Sequence, residues 1–255
     1  APRLTKEARM SQELVSYVVD DCIAVITIER PEVRNALNEA VVSGLQAAWQ
    51  RLADGNERAA VLAAAGDHFS VGLDLKDPPP DMWRAVPGIG VDLVKPVVCA
   101  TRGWCVGGAM VLMQMSDLCV AAESTRFLYP EAKVGVTGGL IAGLAARVPP
   151  KIAMEIMLLG EAMDAARAYE VGLVNRVVAD GAEVAAAQAM AHTIAGHAPL
   201  VIEALKELAD DVVPTARPET AYRTRRLLGA IAASDDLKEG IAAFKEKRAP
   251  QFKGR

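Results

Sequence analysis

The chain has no Cys-x-x-Cys pair. Its four cysteines, Cys22, Cys99, Cys105 and Cys119, stand far apart in apolar stretches, which excludes a dense disulfide framework and suits buried, reduced thiols in a cytoplasmic protein. No uncharged apolar run approaches the about 18 residues of a membrane span, and the opening APRLTKEARMSQELV lacks the apolar core of a secretion signal. A membrane or exported protein is therefore not expected, and the residues before Met10 read as processed or foreign. Positive charge is not in excess: the formal net charge is -4 and the isoelectric point about 5.5, so neither nucleic acid nor an anionic membrane is an expected partner. Neither Gly-x-Gly-x-x-Gly after the first strand nor Gly-x-x-x-x-Gly-Lys-Ser/Thr occurs, which argues against dinucleotide-binding and P-loop enzymes. His68, His192 and His197 show no metal-ligand spacing, so no metal is expected.

What is present is 255 residues, 52% of them hydrophobic, enough for one large core with a helical appendage. Residues 15–28, VSYVVDDCIAVITI, predict a hairpin turning at Asp20-Asp21. Asn38 is placed to cap a helix whose apolar positions Val41, Val42, Leu45, Ala48, Trp49 and Leu52 recur at helical spacing. Buried strands are predicted at 59–65, 96–101 and 118–122, with a strand edge at 126–128, and glycine-bearing turns and helices alternate with them. The Pro-rich stretch 78–90 reads as a mobile rim without regular structure. Beyond Ala182 helices are predicted at 182–196, 198–210, 217–233 and 235–246. The class is α/β with a parallel sheet, divided into a core at 1–196 and a helical region at 197–255.

Two glycine turns follow buried strands, FSVGLDLKD at 69–77 and GWCVGGAM at 103–110. Without a Cβ, Gly107 and Gly108 let a ligand approach the main chain, and the helix beginning there aims its unsatisfied N–H groups outward. A lone Gly-Gly more often serves close packing of strand on helix; two such turns in this order point to an oxyanion hole.

The segments RPEVRNALN, FSVGLDLKD, KPVVCATRGWCVGGAM, YPEAKVGV and AYEVGLVNRVV, in that order, resemble the enoyl-CoA hydratase/isomerase (crotonase) superfamily, across about residues 14–180 and more weakly to the closing AFKEKRAPQFKG. The resemblance implies a spiral of ββα repeats, and a homo-trimer or dimer of trimers assembled by the C-terminal helices. It also implies an acyl-CoA thioester as substrate, so that coenzyme A arrives with the substrate and no separate cofactor is needed. Carried over residue by residue, the oxyanion donors fall on the N–H groups of Leu73 and Gly108, and the catalytic glutamate on Glu131, after Pro130. The glutamate that the family's hydratases carry three residues beyond the oxyanion glycine is replaced here by Val111, and a third acidic position falls on Thr137-Gly138-Gly139, which carries no acid.

Those substitutions bear on the reaction. Adding water to an enoyl thioester is eased by dividing acid and base roles between two carboxylates, whereas moving a double bond between the 3-enoyl and 2-enoyl positions needs one base that takes a proton and returns it. One glutamate favours isomerisation, with hydration as the alternative. Apolar neighbours such as Met110 and Val111 are expected to raise the Glu131 pKa toward neutrality. Arg34 and Lys76 match positions where the family often meets the CoA phosphates, as does the cationic tail with Lys245, Lys247, Arg248 and Lys253; taken singly, such residues are ordinarily solvated surface. Phe69, Trp83, Trp104, Met110, Met113 and Met115 could line an acyl pocket, although core packing is the commoner duty. A serine peptidase on the same fold would need a serine at the start of the Gly-Gly helix, where Ala109 and Met110 stand. A non-catalytic acyl-CoA-binding homologue remains a rival, opposed by the retention of Glu131.

Overall fold

The computed structural model describes residues 14–255. Its first hairpin pairs β1 (Val15–Asp20) with β2 (Ile23–Ile28) antiparallel, in register from Val15↔Ile28 to Asp20↔Ile23. Asp21 and Cys22 form the turn, and Asp21 takes a left-handed φ of 54°, a conformation that Asp tolerates better than most residues. Helix α1 (Glu39–Asp54) begins where Asn38 Oδ1 accepts the Val41 N–H at 3.1 Å, a cap worth about 1 kcal/mol. Val41, Val42, Leu45, Trp49 and Leu52 on its inner face are fully buried, each contributing about 2 kcal/mol.

The chain then winds. Strand β3 (Ala59–Ala64) is followed by β4 (Val97–Thr101), β5 (Trp104–Val106), helix α2 (Gly108–Gln114), β6 (Leu118–Ala122), β7 (Arg126–Leu128) and helix α3 (Glu131–Val134). Helices α4 (Pro150–Met154) and α5 (Ala165–Glu170) flank β8 (Met163–Asp164), and β9 (Arg176–Val178) comes last. A six-stranded sheet has the order β1-β2-β3-β4-β6-β9, parallel from β2 onward, and a three-stranded sheet has the order β5-β7-β8. Each pass lays one strand in the large sheet, the next in the small sheet, and then a helix: β4, β5, α2 and again β6, β7, α3. This is the crotonase-like spiral of ββα repeats.

Strands β3 and β4 read as continuous apolar runs because both faces of the large sheet are covered. Ala60, Leu62, Val97 and Cys99 enter the main core with α1 and α2. Ala59, Val61, Val98 and Ala100 meet Ala187, Ala191 and Ala195 of α6 (Glu183–Ala195), which lies on the other face. Helices α7 (Pro199–Val212), α8 (Arg217–Ala233) and α9 (Asp235–Glu246) complete the chain close to their expected bounds.

Two expectations need correction. The 78–90 segment is no loose rim: it contains a 3-10 turn at Met82–Ala85, Ala85, Val86 and Ile89 are fully buried, and Trp49 Nε1–H donates to Ala85 O at 2.7 Å. The apolar residues of this proline-interrupted stretch have a core to enter. Cys22 is half-exposed at the hairpin turn, unlike the buried Cys99, Cys105 and Cys119. Strands β8 and β9 carry no sequence expectation: they are too short to show a period and exist because a neighbouring strand offers them a ladder.

Candidate active site

A short run of bridges brings the two glycine turns together. Phe69 N–H donates to Arg102 O at 2.7 Å, Ser70 N–H to Trp104 O at 2.9 Å and Val106 N–H to Ser70 O at 3.0 Å, so residues 69–72 lie along β5. The Ser70 hydroxyl accepts the Gly72 N–H at 3.1 Å, and Gly72 takes a φ of 85°. A side chain there would come within 2.8 Å of Val106 O and 3.6 Å of Gly108 N; only glycine permits this approach. On the other side Leu37 N–H donates to Gly72 O at 2.8 Å and Asp74 N–H to Leu37 O at 2.9 Å. Leu73 is thus held from both sides while its own N–H, like that of Gly108, has no acceptor among the described residues. Two unsatisfied backbone donors thus stand on adjoining turns, one of them at a helix N-terminus, where a single acceptor oxygen could meet both.

Glu131 reaches the same place through the small sheet. Strand β7 runs parallel to β5, with Val106 opposite Leu128, and Gly107 N–H extends the ladder to Leu128 O at 2.9 Å. Three residues after Leu128 the chain carries Glu131, at the first position of α3, beside Gly107. A Cβ at Gly107 would lie 2.5 Å from Glu131 Oε1, and the backbone there, φ 56° and ψ -115°, is open only to glycine. Glu131 Oε2 is buried without a hydrogen-bond partner among the described residues. Burial raises its pKa from 4.5 to about 7, against a smaller lowering from its own backbone N–H. A carboxyl near neutrality can both take and return a proton at physiological pH.

The walls are apolar. Gly108 faces Met82 Cε, Leu37 Cδ1 and Leu73 Cδ2, at 3.0, 3.4 and 3.7 Å from where its Cβ would be. Val111, whose N–H donates to Gly107 O at 3.3 Å, stands one helical turn above the glycine that Glu131 touches and is buried. Beside the glutamate, burial pushes the Tyr129 hydroxyl up to about 12, and that hydroxyl lies 2.9 Å from Thr137 Oγ1.

The expected site residues divide. Leu73, Gly108 and Glu131 meet at one place. Arg34 and Lys76 are exposed on the two loops that hold Leu73, with Val71 N–H donating to Arg34 O at 3.1 Å and Lys76 N–H to Asp74 Oδ1 at 3.0 Å. Lys253 is held elsewhere, in the C-terminal tail, where its N–H donates to Asp236 Oδ1 at 2.6 Å. Phe69, Met110 and Met113 are core residues. Sequence reasoning did not find Met82 as the cover of Gly108, nor the α8 residues behind it. Tyr222 stacks on Trp83 with ring centroids 5.6 Å apart, and Arg225 reaches Asp81 at 3.0 Å. Nothing in the local pattern of α8 signals these contacts, which depend on a segment about 140 residues earlier in the chain. A separate cavity of about 690 Å³, bounded in part by Gln114, Asp117, Arg147, Lys206 and Arg223, includes none of Leu73, Gly108 and Glu131.

Comparison with known proteins identifies the family. The family model described as enoyl-CoA hydratase/isomerase matches residues 19–255. Enoyl-CoA hydratase EchA19 of Mycobacterium tuberculosis is 33% identical, over 91% of this chain and 93% of its own. The (E)-benzylidenesuccinyl-CoA hydratase of Thauera aromatica is 32% identical, over 94% and 99%. Among solved structures, carnitinyl-CoA hydratase from Mycobacterium avium superposes with a TM-score of 0.75 at 34% identity, over 96% of this chain and 100% of that one.

Proposed function

Since the chain belongs to the enoyl-CoA hydratase/isomerase family, and so to enzymes acting on acyl-CoA thioesters, we propose that it moves protons on an enoyl-CoA with Glu131 as its single acid/base, and that double-bond isomerisation is the reaction its site supports best. The thioester oxygen lies between the Leu73 and Gly108 N–H groups; Glu131 removes the α-proton of a 3-enoyl thioester, the dienolate is held at those donors, and the same carboxyl returns the proton at the γ-carbon. The observation that carries this reading is a lone, desolvated carboxyl, with a pKa of about 7 and a buried free oxygen, next to a helix that offers Val111 in place of a second acid.

Hydration is the second reading, and the relatives favour it, since eight of them carry the names of hydratases or dehydratases. In that case Glu131 deprotonates water and afterwards delivers the proton to the α-carbon. Arg34 and Lys76 would meet the CoA phosphates at the mouth, and Lys253 would do so only from a subunit or conformation that brings the tail there. Coenzyme A enters as part of the substrate. Assembly into a homo-trimer or dimer of trimers through region 197–255 is supported by the exposed Leu200, Leu205, Leu208 and Val212 of α7 and Leu227, Leu228 and Ile231 of α8. No helix of the described residues is long and apolar enough to cross a membrane. The proposed cytoplasmic location rests on the free, mostly buried cysteines.

The deciding assay follows absorbance with 3-enoyl-CoA and, separately, 2-enoyl-CoA, wild type beside Glu131→Gln. Appearance of conjugation from the 3-enoyl substrate, lost in the variant, supports the isomerase; its loss from the 2-enoyl substrate moves the assignment to hydration. No Glu131-dependent change with either overturns both and favours another acyl-CoA reaction or a binding role.

A further inference from the structure

We propose that Asp20, Asp21, Cys22 and His192 form a binding site for a zinc-class divalent cation, remote from the acyl-CoA site and independent of it. One ligand atom each from Asp21, Cys22 and His192 lies within 4.8 Å of the other two. His192 Nε2 is 3.1 Å from Asp20 Oδ2, and Cys22 Sγ is 3.6 Å from Asp21 Oδ2. A tetrahedral zinc ion with bonds of about 2.0–2.3 Å separates its ligand atoms by about 3.2–3.8 Å, so the Asp20–His192 and Asp21–Cys22 pairs are already near that spacing and the pairs of His192 with Asp21 and Cys22 lie within 4.8 Å. The donors are a thiol, an imidazole and carboxylates, the soft-to-borderline set that selects zinc over magnesium or calcium.

The frame is rigid on both sides. Asp20 ends β1 and Asp21 and Cys22 form the tight turn of a hairpin whose ladder is complete from Val15↔Ile28 to Asp20↔Ile23. His192 projects from α6, which is fastened to the large sheet by the buried Ala187, Ala191 and Ala195. Gln188 Nε2 donates to Asp20 Oδ2 at 3.4 Å, one helical turn before His192, and orients that carboxylate. Neither Asp20 nor Asp21 has a Lys or Arg partner among the ion pairs of the described residues, so the two acids face the histidine without a fixed cationic neighbour. Binding would convert the Cys22 thiol to a thiolate with release of a proton to water, and would clip the hairpin turn to α6. Local ligand spacing could not register this cluster, because the histidine and the turn are 172 positions apart at their bonded pair.

The chemistry also gives a clean readout. Cys99, Cys105 and Cys119 are buried, leaving Cys22 as the accessible thiol among the described residues. Chelator-treated full-length protein is titrated with Co2+ and then Zn2+. One equivalent of Co2+ should bind with a thiolate-to-cobalt charge-transfer band that Zn2+ abolishes; Cys22→Ser should lose the band, and His192→Ala should weaken binding by about tenfold or more, both with unchanged circular dichroism and unchanged enoyl-CoA turnover. No saturable binding in the micromolar range, or a band that survives Cys22→Ser, overturns the site. Because the readout is spectroscopic and the substitutions lie outside the acyl-CoA site, its failure says nothing against the proposed reaction.

Discussion

Replacing Glu131 by Gln should stabilise the protein at alkaline pH while abolishing its activity. Burial raises the carboxyl from 4.5 to about 7, so the folded state holds this proton more tightly than the unfolded chain does. Between those values the folded state binds more protons, and stability contributed by this group therefore falls as pH rises, reaching its full loss above about 7. The difference corresponds to about 3 kcal/mol, or about 2 kcal/mol once the partial access of solvent is allowed for. Glutamine has nearly the same shape and no charge to desolvate. For a chain of this size about 2 kcal/mol translates to a rise of about 4–8 °C in Tm. Thermal melts of wild type and Glu131→Gln from pH 4 to pH 8 should coincide at the acid end and separate as pH rises through the window from 4.5 to about 7, with the variant the more stable. In parallel, wild-type kcat/KM should fall as pH drops below about 7, where the base becomes protonated. Melting curves that coincide at pH 8, or a gap of constant size across the range, would refute the desolvation argument.

Gly107→Ala places a methyl 2.5 Å from Glu131 Oε1 on a backbone with φ 56°; kcat should fall by about a hundredfold or more, measured beside an unchanged far-ultraviolet spectrum. Val111→Glu puts a like charge one turn above Gly107, and the acid limb of the rate profile should move above pH 7 by about a unit, with a gain in the ratio of hydration to isomerisation. Asn35→Ala removes a fully buried amide that accepts Arg30 N–H at 2.8 Å and donates to Ala65 O and His68 O at 2.8 and 2.7 Å; denaturant unfolding should show a loss of about 2–4 kcal/mol. Tyr222→Ala releases the stack on Trp83, and KM for long-chain enoyl-CoA should rise more than kcat changes, since Met82 beside Trp83 covers Gly108.

Much of the fold was legible because local physics and tertiary packing agree along most of the chain. Asn38 caps its helix as a side-chain acceptor next to apolar positions at helical spacing, and the Asp20-Asp21 pair interrupts an alternating β-branched run, so both elements follow from short-range pattern alone. The proposed oxyanion donors could be named for a related reason: they are backbone groups, located by the glycines that make room for them, and the identity of Leu73 did not matter. The proposed base, Glu131, was named through the residues flanking it, and its raised pKa was expected from the apolar letters around Gly108. The tertiary structure alone decided what sequence distance conceals. It brought Met82 over Gly108, laid Tyr222 and Arg225 of α8 behind Trp83 and Asp81, buried Ala85 and Ile89 in place of an expected rim, and set His192 against the hairpin turn at Cys22. A one-dimensional pattern reports the neighbours a residue has within a turn or a strand; which distant surfaces share a boundary is fixed only when the spiral closes and each apolar face must find another to cover it.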